Sequence, residues 1–224
     1  DISYNPLFFS YLLFHKKANG EHCVDLFIDA TKLENVADYI KSIRANVHSY
    51  DSISYEVITS VEKGTKVTVD PANCNVMLNN ALKEAGVEVK CSETNLVEHL
   101  KARKNPVMQK GMKQANIRDC AAIMKYMSWL EEQLKNPDHG IDEFDGSMKV
   151  LEYRKNGSDM FLQPSFCSIS SIGSNGAVIH YSPQKGTAKA MNNKEVYLLD
   201  SGGQYLDGTT DITRTVHFTE ATDF

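Results

Sequence analysis

The sequence predicts an α/β (α+β) fold in two parts, and three observations support this. Over residues 1–103, short apolar runs alternate with stretches of helical periodicity. A long amphipathic pattern follows, and from residue 161 onward β-branched runs are separated by Gly, Asn and Pro turns. A basic, Pro-containing stretch at residues 102–106 indicates a boundary between the parts, which we place after residue 103.

The first part begins with a predicted β-hairpin. Residues 5–14 and 23–28 are apolar runs joined by Asn19-Gly20, a dipeptide favoured in tight turns. An amphipathic helix should follow Thr31, because apolar residues then recur at spacings of three and four. The members of this stripe are Leu33, Val36, Ala37, Ile40 and Ile43.

The rest of the first part reads as two alternating strands, a helix and a third strand. Residues 53–57 and 66–69 alternate as strands do. The helix covers residues 75–85 and ends at Gly86, a residue type suited to a helix C-terminus. Residues 87–90 then predict the third strand.

The second part opens on the clearest helix of the chain. Its apolar stripe ends before Asn136-Pro137 and indicates core packing for its methionines. The stripe consists of Ile117, Cys120, Ala121, Met124, Met127, Leu130 and Leu134. A second helix is predicted over residues 142–154, and strands should dominate from residue 161 onward.

Composition excludes several classes of protein. The 224 residues, with 42% hydrophobic and 24% charged side chains, are typical of a globular chain. A net charge of -5 argues against nucleic acid or an anionic membrane surface as a partner. The longest apolar run, residues 6–14, is too short to span a membrane. The 5 cysteines lack a CxxC pair and fit reduced thiols better than disulfides or a zinc site.

Residues 197–218, YLLDSGGQYLDGTTDITRTVHF, carry the most chemistry. The carboxylates Asp200, Asp207 and Asp211 lie between strand-like apolar flanks, although Asp is depleted in strands. One interpretation is a polar hairpin turn, whose aspartates bond only to local backbone. The local sequence leaves this interpretation open.

A calcium-binding loop is a second interpretation, but the residues at the required positions do not fit it. Asp200 and Asp211 stand at positions 1 and 12 of a possible EF-hand loop. Gly202 occupies position 3, however, and Tyr205 stands where the loop requires glycine. An EF-hand is therefore excluded.

A divalent-metal site is the third interpretation. If residues 198–200 and 211–216 form neighbouring antiparallel strands, their ends bring Asp200 and Asp211 into one pocket. Two carboxylates in a hydroxyl-rich, thiol-free segment suit a hard or borderline ion such as manganese. The two-residue alternation puts Thr213 on the face of Asp211, where Thr213 is placed to support this carboxylate without binding the ion itself.

His180 is the second-to-last residue of another polar and apolar run, NGAVIHY, at residues 175–181. A lone histidine after an apolar run is most often an ordinary strand or core residue. Its spacing alone therefore assigns it no role.

Two segments together resemble the catalytic signature of the Xaa-Pro aminopeptidases, or aminopeptidases P, in the pita-bread metallopeptidase family. They are NGAVIHYSP and LLDSGGQYLDGTTDITRT. The opening DISYNPLFFSYLLF is similar to the middle domain of the long, three-domain eukaryotic members, and LKARKNPVMQKGMKQANIRDCAAIMKYMSWLE to their entry into the catalytic domain. The resemblance implies that residues 1–103 are the later part of a creatinase-like middle α/β domain. It also implies that residues 104–224 are the N-terminal half of a pita-bread catalytic domain.

The resemblance implies a cytoplasmic, homodimeric hydrolase that removes the N-terminal residue from short peptides with proline second. It implies that Asp200 binds one metal ion and that Asp211 bridges two, most typically Mn²⁺, which hold the attacking hydroxide. It further implies that His180 lies in the substrate pocket and stabilises the tetrahedral intermediate. Asp207 is not a ligand in this pattern, and we expect it to serve the hairpin turn.

The sequence departs from the family by omission. The family completes its site with a His and two Glu residues that lie beyond the paired aspartates, one of the two Glu residues serving as the general base. Only 13 residues follow Asp211, and neither His217 nor Glu220 lies in the expected motif. The family's N-terminal domain is missing as well. We therefore expect an internal fragment, cut within both domains, that binds metal weakly and does not cleave peptides alone.

Three alternatives remain. A prolidase acting on dipeptides belongs to the same family, although the opening segment favours the long aminopeptidase. Metal-free pita-bread domains serve as binding modules, for example in histone chaperones, and creatinase-like hydrolases also work without metal. Because both of these lack the ligand carboxylates, the presence of Asp200 and Asp211 disfavours them.

Overall fold

The computed structural model describes residues 2–16 and 20–219. These residues form two compact units, one made of residues 7–103 and the other of residues 2–6 and 104–219. None of the helices in the described part of the chain is both long and apolar enough to cross a membrane.

The unit of residues 7–103 contains two small sheets. Strand β1 (Ser10–Lys16) pairs antiparallel with β2 (His22–Ile28), which pairs parallel with β3 (Ala45–His48). Strand β4 (Lys66–Val69) pairs parallel with β5 (Glu88–Cys91). The helices are α1 (Ala37–Ser42), α2 (Ile53–Ser60), α3 (Val76–Glu84) and α4 (Leu96–Ala102), with 3-10 turns at Ala30–Val36 and Tyr50–Ser52.

Most predicted elements of this unit are confirmed. The hairpin runs in register from Ser10 opposite Ile28 to Lys16 opposite His22, while Asn19 lies outside the described residues. Helix α3 ends before Gly86, whose φ of 73° is the left-handed conformation expected there. The predicted helix after Thr31 is present, although its first turns are 3-10.

One predicted strand of this unit is wrong. Residues 53–57 belong to helix α2, and Ile53 is only 4% exposed. The run ISYEV places apolar residues at spacings of both two and four, so it fits a strand and a helix equally well. Neither β3 nor α4 was predicted, because each is short and weakly patterned.

The second unit packs two helices against two antiparallel sheets. Helices α5 (Pro106–Gln133) and α6 (Glu143–Gly157) contact each other and the strands that follow. The sheets have the strand orders β11-β8-β7 and β10-β9-β6. The strands are β6 (Phe161–Pro164), β7 (Ile169–Ile172), β8 (Tyr197–Ser201), β9 (Gly203–Tyr205), β10 (Gly208–Thr209) and β11 (Ile212–Val216).

Side-chain caps explain where both helices begin. Asn105 accepts a hydrogen bond from the Met108 amide before α5. Asp142 and Asp145 form a reciprocal capping box at the start of α6. The helix predicted over residues 142–154 is therefore confirmed.

The predicted apolar stripe of α5 is correct in part, since Cys120 and Met127 are partly buried and pack against the core. Leu130 and Leu134 are buried, but Ile117 and Met124 are 61% and 72% exposed. The buried face instead consists of Gly111, Ala115, Asp119, Ala122, Ile123, Tyr126 and Leu130. This face contains small residues and a buried carboxylate, so hydrophobicity alone does not identify it.

Candidate functional site

The predicted strand pair is present: Asp200 lies on β8, and Asp211 directly precedes β11, which begins one residue later than predicted. Strand β8 pairs antiparallel with β11, with Thr213 directly opposite Asp200. Asp211 comes immediately before β11, and the two-residue alternation puts it on the same face as Thr213 and Asp200. The other face is the core side, where Leu199, Ser201 and Ile212 are buried.

Asp200 has a carboxylate oxygen that the described residues leave unsatisfied. Its Oδ1 is buried, and none of these residues forms a hydrogen bond with it. A buried carboxylate oxygen without a partner is costly, and a bound cation would supply what is missing. Asp211 is exposed and lies on the same face, so the pair fits an oxygen-preferring divalent ion.

The described residues bring two candidate metal-binding carboxylates to one face and no third ligand. Within residues 2–16 and 20–219, no three His, Cys, Asp or Glu side chains converge as metal ligands. The site seen here therefore consists of two carboxylates, and His180 does not join them as a third ligand. Glu220, considered from the sequence, lies outside the described residues.

A buried ion pair fixes the chain between the two aspartates. Arg154 on α6 donates from Nε to Asp119 Oδ1 at 2.5 Å and from Nη2 to Asp119 Oδ2 at 3.1 Å. Both side chains are almost completely buried, at 1% and 0% exposed. Arg154 Nη2 also donates to Ser201 Oγ at 3.0 Å. The pair thus joins both helices to the residue that follows Asp200.

Asp119 accepts two further hydrogen bonds from the same segment. The Tyr205 hydroxyl donates to its Oδ1 at 2.9 Å, and Thr210 Oγ1 donates to its Oδ2 at 2.9 Å. Burial and the neighbouring Asp119 carboxylate raise the pKa of Tyr205, which keeps it a donor. Gly202 is required here, because a Cβ at this position would lie 2.0 Å from the Thr210 carbonyl oxygen.

Asp207 bonds to a helix rather than to its own turn. It lies between β9 and β10, and both of its carboxylate oxygens accept hydrogen bonds from Arg118 on α5, with Nη1 at 3.3 Å from each. The interpretation that these aspartates bond only to local backbone is therefore wrong for Asp207. Asp200 does not fit it either, since no group in the described part of the chain forms a hydrogen bond with its Oδ1.

His180 lies on an exposed turn. The Tyr181 amide donates to the Val178 carbonyl oxygen at 3.2 Å, and this bond closes a four-residue turn. His180 is the third residue of the turn and has a φ of 56°, a position and conformation where glycine is usual. Non-glycine residues in this conformation cluster at functional sites, and Tyr4 and Arg44 adopt it in this chain as well.

Sequence reasoning missed the buried charges Asp119, Arg154 and Glu143. The first two lie on the apolar faces of consecutive helices: Asp119 is four residues from Ala115 and Ile123, and Arg154 is four residues from Val150. Opposite charges on the buried faces of adjacent helices are a signal that could have found the pair. No such signal marks Glu143, which stands in an ordinary acidic first turn.

Known proteins resemble this chain along its whole length. Residues 110–223 match the model described as metallopeptidase family M24. The chain belongs to metallopeptidase family M24. Residues 1–108 of this M24 chain match the creatinase/prolidase N-terminal domain. The predicted family and the α/β class are thereby confirmed.

The relatives of this M24 chain are longer proteins. A probable Xaa-Pro aminopeptidase P from Pyrenophora tritici-repentis is 42% identical over 100% of the chain, which covers 38% of that protein. The Xaa-Pro aminopeptidase ApepP of Drosophila melanogaster is 38% identical over 100% of the chain and is covered to 35%. The M24 chain thus spans little more than a third of these relatives.

A solved structure shows the same fold. The X-prolyl aminopeptidase from Caenorhabditis elegans, described as a cytosolic enzyme with a di-nuclear active site, matches with a TM-score of 0.77 and 29% identity. The match covers 99% of this chain and 36% of that one.

Proposed function

We propose that Asp200, Asp211 and His180 belong to the active site of a metal-dependent Xaa-Pro aminopeptidase. This enzyme removes the N-terminal residue from short peptides with proline in the second position. One observation carries the proposal: Asp200 and Asp211 share a face of the β8–β11 pair, and Asp200 Oδ1 is buried without a partner among residues 2–16 and 20–219. The names of the three relatives described above support the choice of substrate.

Each residue of the site has a separate task. Asp200 and Asp211 would hold a pair of Mn²⁺ ions, and Thr213 would support Asp211. When bound, a pair of divalent ions supplies Lewis acidity toward the scissile carbonyl and toward water. His180 donates a hydrogen bond to the carbonyl oxygen as negative charge develops there.

The proposal extends to the organisation of the protein. Residues 1–103 form the later part of a middle α/β domain, and residues 104–224 form the first half of a pita-bread catalytic domain. The family models, which match residues 1–108 and 110–223, support this division. A cytoplasmic location is supported by the C. elegans relative, described as cytosolic. The homodimer rests on the family resemblance alone.

The test measures peptide cleavage by the full-length protein in Mn²⁺. Ala-Pro-Phe should lose its alanine, whereas Ala-Ala-Phe should remain intact. Asp200→Asn and Asp211→Asn should each lower kcat/KM by more than about 100-fold, since ligands matter more than the residues that support them. Asp207→Asn, which changes the third carboxylate of the same stretch, is the matched control and should retain most of the activity.

Three outcomes would contradict the proposal. Cleavage of the dipeptide Ala-Pro in preference to the tripeptide would indicate a prolidase. Equal losses in all three Asp→Asn variants would show that the carboxylates serve structure alone. Robust cleavage by the isolated chain of residues 1–224, which we expect to bind Mn²⁺ weakly and to be inactive, would show that the site needs no further ligands.

A further inference from the structure

The loop that carries His180 is attached to one buried carboxylate. Glu143 is the first residue of α6 and is 0% exposed. Its Oε1 accepts a hydrogen bond from the Ile172 amide at 2.7 Å, and its Oε2 from the Lys189 amide at 3.0 Å. These amides lie before and after the turn that contains His180. The carboxylate therefore joins the two ends of the segment from Ile172 to Lys189.

Two side chains inside the segment bond to the same carboxylate. Asn175 Nδ2 lies 3.0 Å from Glu143 Oε1 and 3.1 Å from Oε2. The hydroxyl of Tyr181 donates to Oε2 at 2.5 Å. Tyr181 directly follows His180, so the bond holds the turn next to the histidine. Burial and this hydrogen bond raise the pKa of Tyr181 to about 12.

The local backbone fixes Glu143 itself. The capping box of Asp142 and Asp145 sets the start of α6, and the positive end of the helix dipole favours a carboxylate there. The Glu143 amide donates to the Lys189 carbonyl oxygen at 3.1 Å, and the Met191 amide donates to the Ile141 carbonyl oxygen at 2.9 Å. The segment is thus bonded to the helix start by backbone as well.

Only a carboxylate fits this environment. Every described group that bonds to the Glu143 side chain is a donor, and a carboxylate accepts at both oxygens. None of the ion pairs formed by the described residues includes Glu143, so these neutral donors satisfy it. Glutamine at this position would turn an NH₂ group toward donors and break bonds on one side.

We propose that Glu143 is a positioning residue, which holds the turn at residues 178–181 so that His180 stays in its left-handed conformation and meets the substrate carbonyl. The inference rests on the proposed function, in which His180 donates to that oxygen. Glu143 acts on the turn through its hydrogen bonds with Tyr181 and Asn175.

The first experiment compares E143Q with E152Q in the full-length protein. Glu152 lies on the same helix, is exposed and pairs only with Lys149 among the described residues, so it is the matched control. E143Q should lower kcat on Ala-Pro-Phe by about 100-fold, the loss typical of a misplaced group, with little change in KM or in Mn²⁺ affinity. E152Q should behave like the wild type.

A double-mutant cycle shows whether the effect passes through His180. In an H180A background, E143Q should lower kcat by less than about 2-fold, because the residue it positions is gone. The same fold-loss in both backgrounds would overturn the proposal and indicate general destabilisation. Y181F removes a single bond to the carboxylate and should give a smaller loss that also disappears with H180A, which keeps the test valid if E143Q does not fold.

Hydrogen exchange separates this proposal from the proposed function. Amides of residues 173–189 should exchange faster in E143Q than in the wild type or E152Q, whether or not the protein cleaves peptides. Unchanged exchange in this segment would overturn the positioning role. A further outcome is that the wild type cleaves no Xaa-Pro peptide while exchange in the loop still rises in E143Q. That result would refute the proposed function but support the role of Glu143 in holding the loop.

Discussion

At the scale of single residues, the ion pair of Asp119 and Arg154 shows how a buried charge is made tolerable. Removing both groups from water costs several kcal/mol for each ion. The pair offsets this cost with two mutual hydrogen bonds and with donors from Tyr205 and Thr210. Each carboxylate oxygen of Asp119 therefore accepts two hydrogen bonds from the protein.

Arg154→Leu tests this account. The change keeps the volume similar but leaves the Asp119 carboxylate buried without its charge partner. We expect the free energy of unfolding to fall by about 3–5 kcal/mol, as for other broken buried pairs. Chemical denaturation measures it, and Lys155→Leu at the adjacent exposed position should change stability by less than about 0.5 kcal/mol. Equal effects would contradict the account.

Tyr181 makes stability sensitive to alkaline pH. Its pKa is raised to about 12 from the usual 10.0, so the unfolded chain loses this proton first. The stabilisation is therefore fully present below pH 10 and lost as the pH rises toward 12. Unfolding measured between pH 9 and 12 should show a shallower decline for Tyr181→Phe than for the wild type. Parallel curves would show that Tyr181 does not contribute.

At the scale of elements, α5 approaches the β9–β10 hairpin unusually closely. A Cβ on Gly111 would lie 2.1 Å from the Asp207 carbonyl oxygen, and one on Gly208 would lie 3.0 Å from the Ala115 Cβ. Two glycines on opposite elements therefore allow the contact. The ion pair of Arg118 and Asp207 then closes over it.

Gly111→Ala should push the helix away from the hairpin. The obstacle is backbone, which cannot rotate aside as a flexible side chain does, so we expect a loss of about 1–3 kcal/mol in unfolding free energy. Gly157→Ala on α6, where a Cβ meets nothing within 4 Å, should be neutral or stabilising by up to about 1 kcal/mol. Thermal unfolding of the two variants compares them, and a harmless Gly111→Ala would contradict the close approach.

Whether an element could be predicted from the sequence depends on whether nearby residues alone specify it. Helices α3 and α6 have clear caps, and the hairpin of β1 and β2 has a strong turn dipeptide, so all three were predictable. The face of α5 was not, because its core side includes Gly111 and Asp119 while Met124 points to solvent. Packing against the hairpin decided that face.

At the scale of the whole molecule, metal binding should be coupled to folding. The register of β8 and β11 brings Asp200 and Asp211 to one face only when the chain is folded. An ion that binds this face therefore stabilises the native state, by about 2.7 kcal/mol when its concentration is 100 times Kd. Mn²⁺ should raise the Tm of the wild type but not of the Asp200→Asn/Asp211→Asn double variant. An equal rise in both would place the ion elsewhere.

The sequence by itself determined the family, the mixed α/β class and the strand pair that carries the two aspartates, because motifs, caps and two-residue alternation act over short stretches of chain. The tertiary structure alone decided which face of α5 is buried, that Asp119 pairs with Arg154 35 residues away, and that Glu143 bonds to Tyr181 38 residues away. The identity of a charged residue does not show whether its side chain is buried or exposed. Only the folded chain, which removes water and supplies the partner, distinguishes them.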